Sequence, residues 1–392
     1  MKMSPDTKLL VKLFLPFFFV HCTSHVYIIY GSLLQRQGFS PEFTGWVLGI
    51  YFLAAMLSRP LASWLVENLG VRKILIWSGL FCFIGCSLLF FFRQSPALIF
   101  IGRVISGVGF GTYVTALFAY QSLYIPEKTR GSMVSLLVIG GVLSMATVTP
   151  LGEWFLINSH DNLYLAIGPI LSALCGILGS RLGAPGTEEA RADNVKPKTW
   201  GTYGALFSTR PFMILVLTGT LMSLTDTFII NISLLASDKG IAASLFLTSQ
   251  AVVAVFVRLF GSQLLNVVPR SALLAPCGIL MAISSIMVSI FPSNGMFIFG
   301  GMLFGLGIGA GWPMLHALIA DLLNPDLRPK GTSTTLLFYD GGFFVGPLIV
   351  GYFLPHFGTA WTLMAIAIIT GSSLLLVEIF YWLPFYRRSK KV

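Results

Sequence analysis

The stretch LFLPFFFVHCTSHVYIIYGSLL, residues 13–34, contains no Asp, Glu, Lys or Arg. A helix rises about 1.5 Å per residue, so roughly 20 apolar residues cross the hydrocarbon core of a bilayer. The stretch follows Lys2, Lys8 and Lys12, as in a secretion signal, but it is too long for a signal core and lacks a small-residue cleavage site. We therefore predict a first membrane-spanning helix.

Similar apolar runs recur along the whole chain and predict an all-α membrane protein with twelve transmembrane helices. The longest polar interruption, 181–208, divides the chain into an N-terminal six-helix bundle (1–182), a cytoplasmic linker (183–208) and a C-terminal six-helix bundle (209–392) with a short basic tail. The predicted spans are 10–34, 43–66, 73–92, 96–120, 132–156, 162–182, 211–235, 243–266, 272–291, 295–320, 332–355 and 360–383.

Composition and charge placement agree with a bilayer location. Hydrophobic residues make up 55% of the chain and charged residues 10%, against roughly 25% charged in soluble domains. With both termini in the cytoplasm, 19 of the 25 Lys and Arg fall on inner segments and 3 on outer loops, as the positive-inside rule requires. The net charge of +10 therefore reflects topology. We expect a multi-pass protein of the inner (plasma) membrane that binds no nucleic acid.

The two halves of the chain resemble each other at a shift of 198 to 200 residues. This shift places the glycines of 107–111 on those of 305–309, Arg130-Gly131 on Lys330-Gly331, and Arg59 on Arg258. A parallel repeat of six spans predicts two pseudo-symmetric bundles with a solute site near the midplane. The glycines also have a simpler interpretation, because small residues at this spacing let helices pack closely.

Short loops carry a family resemblance. Residues 67–73 after span two read ENLGVRK, and IPEKTRG at 125–131 is echoed by NPDLRPKG at 324–331. Together with the repeat, these loops resemble the inner loops of the major facilitator superfamily over essentially the whole chain. The resemblance implies that family's fold. It also implies a gating role for loop residues of this chain, namely Glu67, Gly70, Arg72, Lys73 and Arg130.

Two arginines lie close to the predicted cytoplasmic ends of their spans. Arg59 and Arg258 are within about two turns of those ends, where a long side chain can reach the aqueous surface. We assign them to inner gating.

Motifs within the spans extend the resemblance. Arg103 and Gly107 are similar to a family feature associated with proton coupling, and Pro150 and the pair Gly346-Pro347 are similar to a Gly-Pro motif of drug and metabolite exporters. The resemblance therefore favours export of a drug, sugar or metallophore-like solute, with gating roles for Pro150 and Pro347. A Gly-Pro pair also simply bends a membrane helix, which would serve import equally well.

Ionisable residues within spans cost about 2.5 to 3.5 kcal/mol near a helix centre, so each indicates function or a partner. Asp226 in span seven is the first choice for a carboxylate that carries a proton or contacts substrate, with Arg103 and His25 as modulators and Asn231 nearby in sequence. The alternative is a structural ion pair of Asp226 with an arginine such as Arg103. Asp340 in span eleven is a further candidate, as gate or substrate contact.

Histidines and aromatic residues complete the candidate set. His21 and His25 are four residues apart and share a helix face, which allows a proton relay, a metal ligand pair or a hydrogen-bonded structural role. The sequence predicts no metal-ion site, and whether this pair binds a metal stays open. The cavity-lining candidates are Tyr27, Tyr30, Trp312 and His316.

These features predict a secondary active transporter that works by alternating access, with protons as coupling ion. Proton-coupled export of a small organic solute is the first interpretation, and import of a nutrient or a siderophore-like metal chelate is the alternative. A membrane receptor is a remote third possibility, since the loops are short. Neither an enzyme nor a cofactor is expected, because no H-E-x-x-H or G-x-S-x-G motif occurs. The expected assembly is a monomer in the lipid bilayer.

Overall fold

The computed structural model describes residues 5–124, 127–182, 201–260, 270–324 and 326–389. Within these ranges the chain is helical, with no strand. Residues 183–200 of the predicted linker lie outside the described residues, as do the side chains of Glu67 and Arg130.

Within the described ranges, twelve helices are long and apolar enough to cross a membrane, which confirms the predicted fold class. Their ends lie within a few residues of the predicted ends, because the length of each apolar run must match the bilayer thickness. The spans are Leu9–Arg36, Pro41–Val66, Val71–Phe91, Pro96–Phe118, Leu137–Ile157, Asp161–Gly179, Arg210–Lys239, Ala243–Phe260, Arg270–Ile290, Asn294–Leu322, Lys330–Phe357 and Thr359–Arg387.

Large apolar side chains cover the outward faces of these helices. Phe380 is 76% exposed, Phe91 71% and Trp361 67%. In water, such contiguous apolar surface would drive aggregation, whereas in a bilayer it contacts lipid. The exposed surface therefore fits a bilayer as solvent.

The chain forms two compact units. One contains Met1–Gly38 and Ile50–Lys196, and the other contains Phe39–Gly49 and Pro197–Val392. The first part of span two thus belongs to the second unit, where Gly49 lies against the carbonyl group of Phe344 in span eleven. This segment belongs to the second unit because of its packing, although it lies in the N-terminal half of the sequence.

The sequence repeat is also a repeat of packing. In the first unit, a Cβ added to Gly107 of span four would overlap the carbonyl oxygen of Tyr51 in span two. In the second unit, a Cβ added to Gly305 of span ten would overlap the carbonyl oxygen of Gln250 in span eight. The shift that relates the two halves of the sequence therefore relates Gly107 to Gly305 and, within one residue, Tyr51 to Gln250. At these positions the repeated glycines act in helix packing, as the simpler interpretation had it.

Spans one and seven, which are partners in the sequence repeat, are interrupted at equivalent positions. Span one is helical to His25, continues as a 3₁₀ turn over Val26–Ile29 and resumes as an α-helix at Tyr30. Span seven is helical to Asp226 and resumes at Phe228. The last helical residues before the two breaks, 25 and 226, are 201 positions apart. Each break therefore occupies the same place in its repeat.

Two polar side chains bond to the backbone at the break in span seven, where no proline occurs. Thr227 donates its hydroxyl hydrogen to the carbonyl oxygen of Leu224 at 2.7 Å, and the Asn231 side-chain amide donates to the carbonyl oxygen of Thr227 at 2.9 Å. Such local bonds offer the backbone an alternative to the regular helical ladder. The break places Asp226 roughly 2 Å from the middle of the span, by the helical rise per residue.

Candidate functional site

Asp226 is the centre of the candidate site in the second unit. It is 5% exposed, and its Oδ2 accepts a hydrogen bond from the hydroxyl group of Tyr339 in span eleven at 2.8 Å. Its other oxygen, Oδ1, has no hydrogen-bond partner among the described residues. Arg258 of span eight lies close enough for its charge to act on the carboxylate. A buried carboxylate with one unbonded oxygen is costly, so this group can gain a proton or a ligand.

An aromatic cluster extends from Tyr339 towards span ten. The rings of Tyr339 and Trp312 meet edge to face with centroids 4.5 Å apart, and Trp312 lies 4.5 Å from His316. The Nδ1 atom of His316 bonds to the carbonyl oxygen of Trp312 at 3.0 Å. Since a carbonyl oxygen only accepts, Nδ1 carries the proton and Nε2 is left as an acceptor. Asp226, Trp312 and His316 are thereby linked through Tyr339.

Span eleven positions this cluster through close packing against the break. A Cβ on Gly346 would overlap the side chain of Thr227, and one on Gly342 would overlap that of Ser223. The Ser223 hydroxyl group donates to the carbonyl oxygen of Tyr339. The Gly-Pro motif of span eleven thus contributes a glycine that accommodates the broken segment of span seven.

The remaining candidates of the second unit lie around this cluster. Asn231 is buried and bonds to the backbone of the break, as described above. Asp340 is buried next to Tyr339 in sequence, and its charge acts on the Tyr339 hydroxyl group. Pro347 lies inside the helix Arg328–Phe357.

Arg103 is enclosed by aromatic rings in the first unit. It is 2% exposed, and its guanidinium carbon lies 4.2 Å from the ring centroid of Tyr51 and 5.6 Å from that of Tyr27. Tyr30 packs edge to face on Tyr27 with centroids 5.6 Å apart. Stacking on aromatic faces lowers the cost of burying a guanidinium group. Arg103 therefore has a packing role whether or not it also takes part in coupling.

His21 and His25 contact span five and other aromatic side chains. His25 Nδ1 lies 2.5 Å from the hydroxyl group of Ser144, and His21 Nδ1 lies 2.7 Å from the carbonyl oxygen of Phe17. The His21 ring also packs on Phe110 with centroids 5.6 Å apart. These contacts bring both histidines into one half-buried cluster.

The polar contacts of the two units correspond. His25, which ends the first segment of span one, bonds to Ser144 of span five. Asp226, which ends the first segment of span seven, bonds to Tyr339 of span eleven. Spans one and five of the first unit are the repeat partners of spans seven and eleven. The repeat therefore places a titratable side chain and a hydroxyl partner at each broken helix.

Some of the gating candidates have described surroundings. Gly70 ends the helix Pro41–Leu69 with a φ of 81°, a left-handed conformation that favours glycine. Arg72 and Lys73 are exposed just beyond it. Arg59 lies close enough to His21 for its charge to act on the imidazole. Pro150 is inside the helix Glu127–Ile157.

Sequence reasoning missed Tyr51, Ser144 and Tyr339, which are the direct partners of predicted residues. Tyr339 lies next to Asp340 in sequence, and an acid within a span is a stronger indication of function than a tyrosine, because its burial costs more free energy. Tyr51 lies eight residues before Arg59, on the same strongly apolar helix. The sequence repeat was a signal for these partners. It relates spans one and five to spans seven and eleven, the two pairs that carry the contacts of His25 and Asp226.

In the part of the chain that the structure describes, twelve spans with titratable groups at two broken helices define a membrane protein of the transporter class. The family model of the Major Facilitator Superfamily matches residues 13–264 and 216–391. The chain therefore belongs to the Major Facilitator Superfamily, which is a family of transporters and not of enzymes.

A solved structure supports the fold. A bacterial homologue of the human lysosomal transporter Spinster, in an inward-facing and unoccupied conformation, is similar with a TM-score of 0.76 and 16% identity over 97% of both chains. At this identity the similarity concerns the fold alone.

Curated relatives are transporters of different solutes. "Probable anion transporter 5" of Arabidopsis thaliana is 24% identical over 46% of this chain and 41% of its own length. "Monocarboxylate transporter 4" of Rattus norvegicus is 23% identical over 59% and 51%, and "H(+)/hexose cotransporter 1" of Parachlorella kessleri is 30% identical over 30% and 22%. The chain spans about half or less of the length of these relatives.

Proposed function

We propose that this transporter couples the movement of a small organic solute to protons, with Asp226 as the proton-carrying group. The observation that carries the proposal is the buried Oδ1 atom of Asp226, which has no hydrogen-bond partner among the described residues. Protonation turns this carboxylate from a costly buried charge into a neutral group. Arg258 favours the charged form instead. A group balanced in this way can alternate between the two forms during a transport cycle.

Coupling requires that proton and solute affect the same conformational equilibrium, because a ligand shifts states only through its differential affinity for them. The break in span seven meets this requirement. Asp226, the backbone of Thr227 and the Tyr339 hydroxyl group lie together there, so a change of charge at Asp226 acts directly on helix packing. Alternating access is the mechanism we infer for the whole chain.

Export in exchange for protons is the direction we propose, on the similarity of the motifs at Pro150 and Pro347 to those of exporters. Cotransport of solute and proton is the second candidate, favoured by the name of the Parachlorella kessleri relative, "H(+)/hexose cotransporter 1". The names of the other relatives favour anions, including monocarboxylates, as first solutes to test.

The experiment uses the full chain in proteoliposomes that enclose a pH-sensitive dye. Lactate, inorganic phosphate and glucose are added in turn across an imposed pH gradient. A solute that is transported changes the internal pH, and the sign of the change separates exchange from cotransport. Asp226→Asn abolishes the pH change while solute exchange without a gradient persists. Unaltered proton movement in Asp226→Asn would disprove the assignment.

Glu378 offers a matched control. Its Oε2 atom is also buried without a partner in the described part of the chain, but it belongs to span twelve. We expect Glu378→Gln to retain proton coupling. If both variants lose coupling equally, the effect is a general one of removing a buried acid and the role of Asp226 is refuted.

We propose that the protein lies in the plasma membrane. The asymmetry of 19 inner to 3 outer basic residues supports an orientation with both termini in the cytoplasm. Fusions of alkaline phosphatase and green fluorescent protein to the C-terminus test this orientation. We expect fluorescence without phosphatase activity, and the reverse result would contradict it.

A further inference from the structure

His21 and His25 form a pair of imidazoles on one face of span one. Their ring centroids are 5.9 Å apart and their planes are inclined by 58°. Both side chains are half-buried, so both remain accessible to a small ligand. The proton coupling proposed for Asp226 does not involve these two histidines.

Hydrogen bonds determine which nitrogen of each ring is free. His21 Nδ1 donates to the carbonyl oxygen of Phe17 at 2.7 Å. The Ser144 hydroxyl group donates to the carbonyl oxygen of Gly141 at 2.6 Å, so it accepts from His25 Nδ1. Both neutral imidazoles therefore carry their proton on Nδ1. Neither Nε2 atom makes a hydrogen bond within the described ranges.

Span five holds both rings through a single turn. Gly141 lies against the His21 ring, where an added Cβ would come within 3.2 Å of Cδ2 and 3.4 Å of Nε2. The same residue supplies the carbonyl oxygen that orients Ser144, and through it His25. Histidines that bind metals usually donate their second N–H to a backbone carbonyl or another oxygen in this way.

The separation of the two ring centroids is one that a shared metal ion allows. A transition-metal ion about 2.1 Å from each Nε2 lies roughly 3.2 Å from each ring centre, so two imidazoles on one ion have centroids roughly 4.5 to 6.4 Å apart. The observed 5.9 Å falls within this interval. Histidines at positions i and i+4 of a helix are also the spacing at which helical metal sites place two ligands.

Two imidazoles fill only part of a coordination sphere. Among the described residues, no group of three or more His, Cys, Asp and Glu side chains is placed to hold a metal ion. An ion bound here must then carry further ligands of its own. The charge of Arg59, which acts on His21, opposes a free dication and attracts an anionic complex.

We propose that the Nε2 atoms of His21 and His25 bind a transition-metal ion carried by a small anionic chelator, and that such chelates are a substrate class of this transporter. The proposal rests on the transport function of the family and does not depend on proton coupling at Asp226. The ions best suited to two imidazoles are Cu²⁺, Ni²⁺ and Zn²⁺.

The test uses the full chain without a histidine tag, purified in detergent, and the probe Cu²⁺–nitrilotriacetate. Calorimetric titration is expected to give one complex per protein. Electron paramagnetic resonance of the wild-type complex is expected to show coupling of the copper to imidazole nitrogens. His21→Gln and His25→Gln should each weaken binding at least about tenfold.

His356→Gln is the matched control, because His356 is an exposed histidine of the helix Arg328–Phe357 and has no histidine four residues away. It should bind the probe like the wild type. Arg59→Gln should weaken binding of the anionic complex more than binding of Cu²⁺ alone. Failure of proton coupling in the proteoliposome assay would leave these binding results intact.

Three results would overturn the proposal. The first is equal binding by the wild type and both histidine variants. The second is binding of Cu²⁺ alone with none of the chelate. The third is a wild-type spectrum without imidazole coupling, which needs no variant to fold. Transport is tested with radiolabelled Cu²⁺–nitrilotriacetate in proteoliposomes. Uptake by the wild type that is lost in His25→Gln would support the transport claim. No uptake by the wild type would refute it.

Discussion

The Tyr339 hydroxyl group donates to Oδ2 of Asp226 at 2.8 Å and thereby joins span eleven to the break in span seven. The bond leaves Oδ1 unbonded within the described part of the chain. Tyr339 also carries the contact to Trp312 and, beyond it, His316. The environment of the proposed proton carrier thus depends on a tyrosine more directly than on any predicted residue.

Tyr339→Phe removes the donor and keeps the ring. A hydrogen bond to a carboxylate stabilises its charged form, so losing the bond favours the protonated form. The pH at which proton-coupled transport is half-maximal should rise by about one unit, since such a bond is worth about 1.5 to 3 kcal/mol and some of this is regained from water. An unchanged pH profile would show that the bond has no influence on Asp226.

Gly346→Ala should destabilise the second unit. The added Cβ overlaps the Thr227 side chain at the break, and overpacking typically costs about 1 to 3 kcal/mol. We expect a melting temperature lower by a few degrees, together with slower transport. Gly295→Ala is the control, because a Cβ there has nothing within 4 Å. Equal melting temperatures of the two variants would contradict the packing argument.

Arg103 and Tyr51 should be energetically coupled. Arg103→Lys loses the planar guanidinium group that lies 4.2 Å from the ring centroid of Tyr51, and Tyr51→Leu loses the ring. Each change should lower the free energy of unfolding. The double variant should be less destabilised than the sum by about 0.5 to 2 kcal/mol. Additive effects in this cycle would show that the stacking contributes nothing.

Trp382 should stabilise the contact of span twelve with span seven. It is fully buried, and its indole N–H donates to the Thr218 hydroxyl group at 3.0 Å. Trp382→Phe removes this bond and part of the ring, so unfolding should become easier by about 1 to 3 kcal/mol. Trp361→Phe, at a site that is 67% exposed, should have little effect on thermal unfolding in detergent. The reverse order of the two variants would be inconsistent with the contact.

The sequence alone determined the number and approximate ends of the spans. Each apolar run must match the thickness of the bilayer, so span length is a property of local composition. The resemblance between the halves was also readable, because Gly107 and Gly305 must both be glycine where helices touch through their backbones. Asp226 was also identifiable from the sequence, because burying an acid in a membrane span costs free energy and such acids are rare. Its role in coupling stays a prediction.

Only the tertiary structure decided which side chains meet. The pairs Asp226 with Tyr339 and His25 with Ser144 join helices more than 100 residues apart in sequence, and their contact depends on how each helix is rotated and crossed. Periodicity places a residue on a face, but not opposite a particular partner. The free nitrogen of each histidine likewise follows from bonds to other groups, which no spacing within one helix can specify.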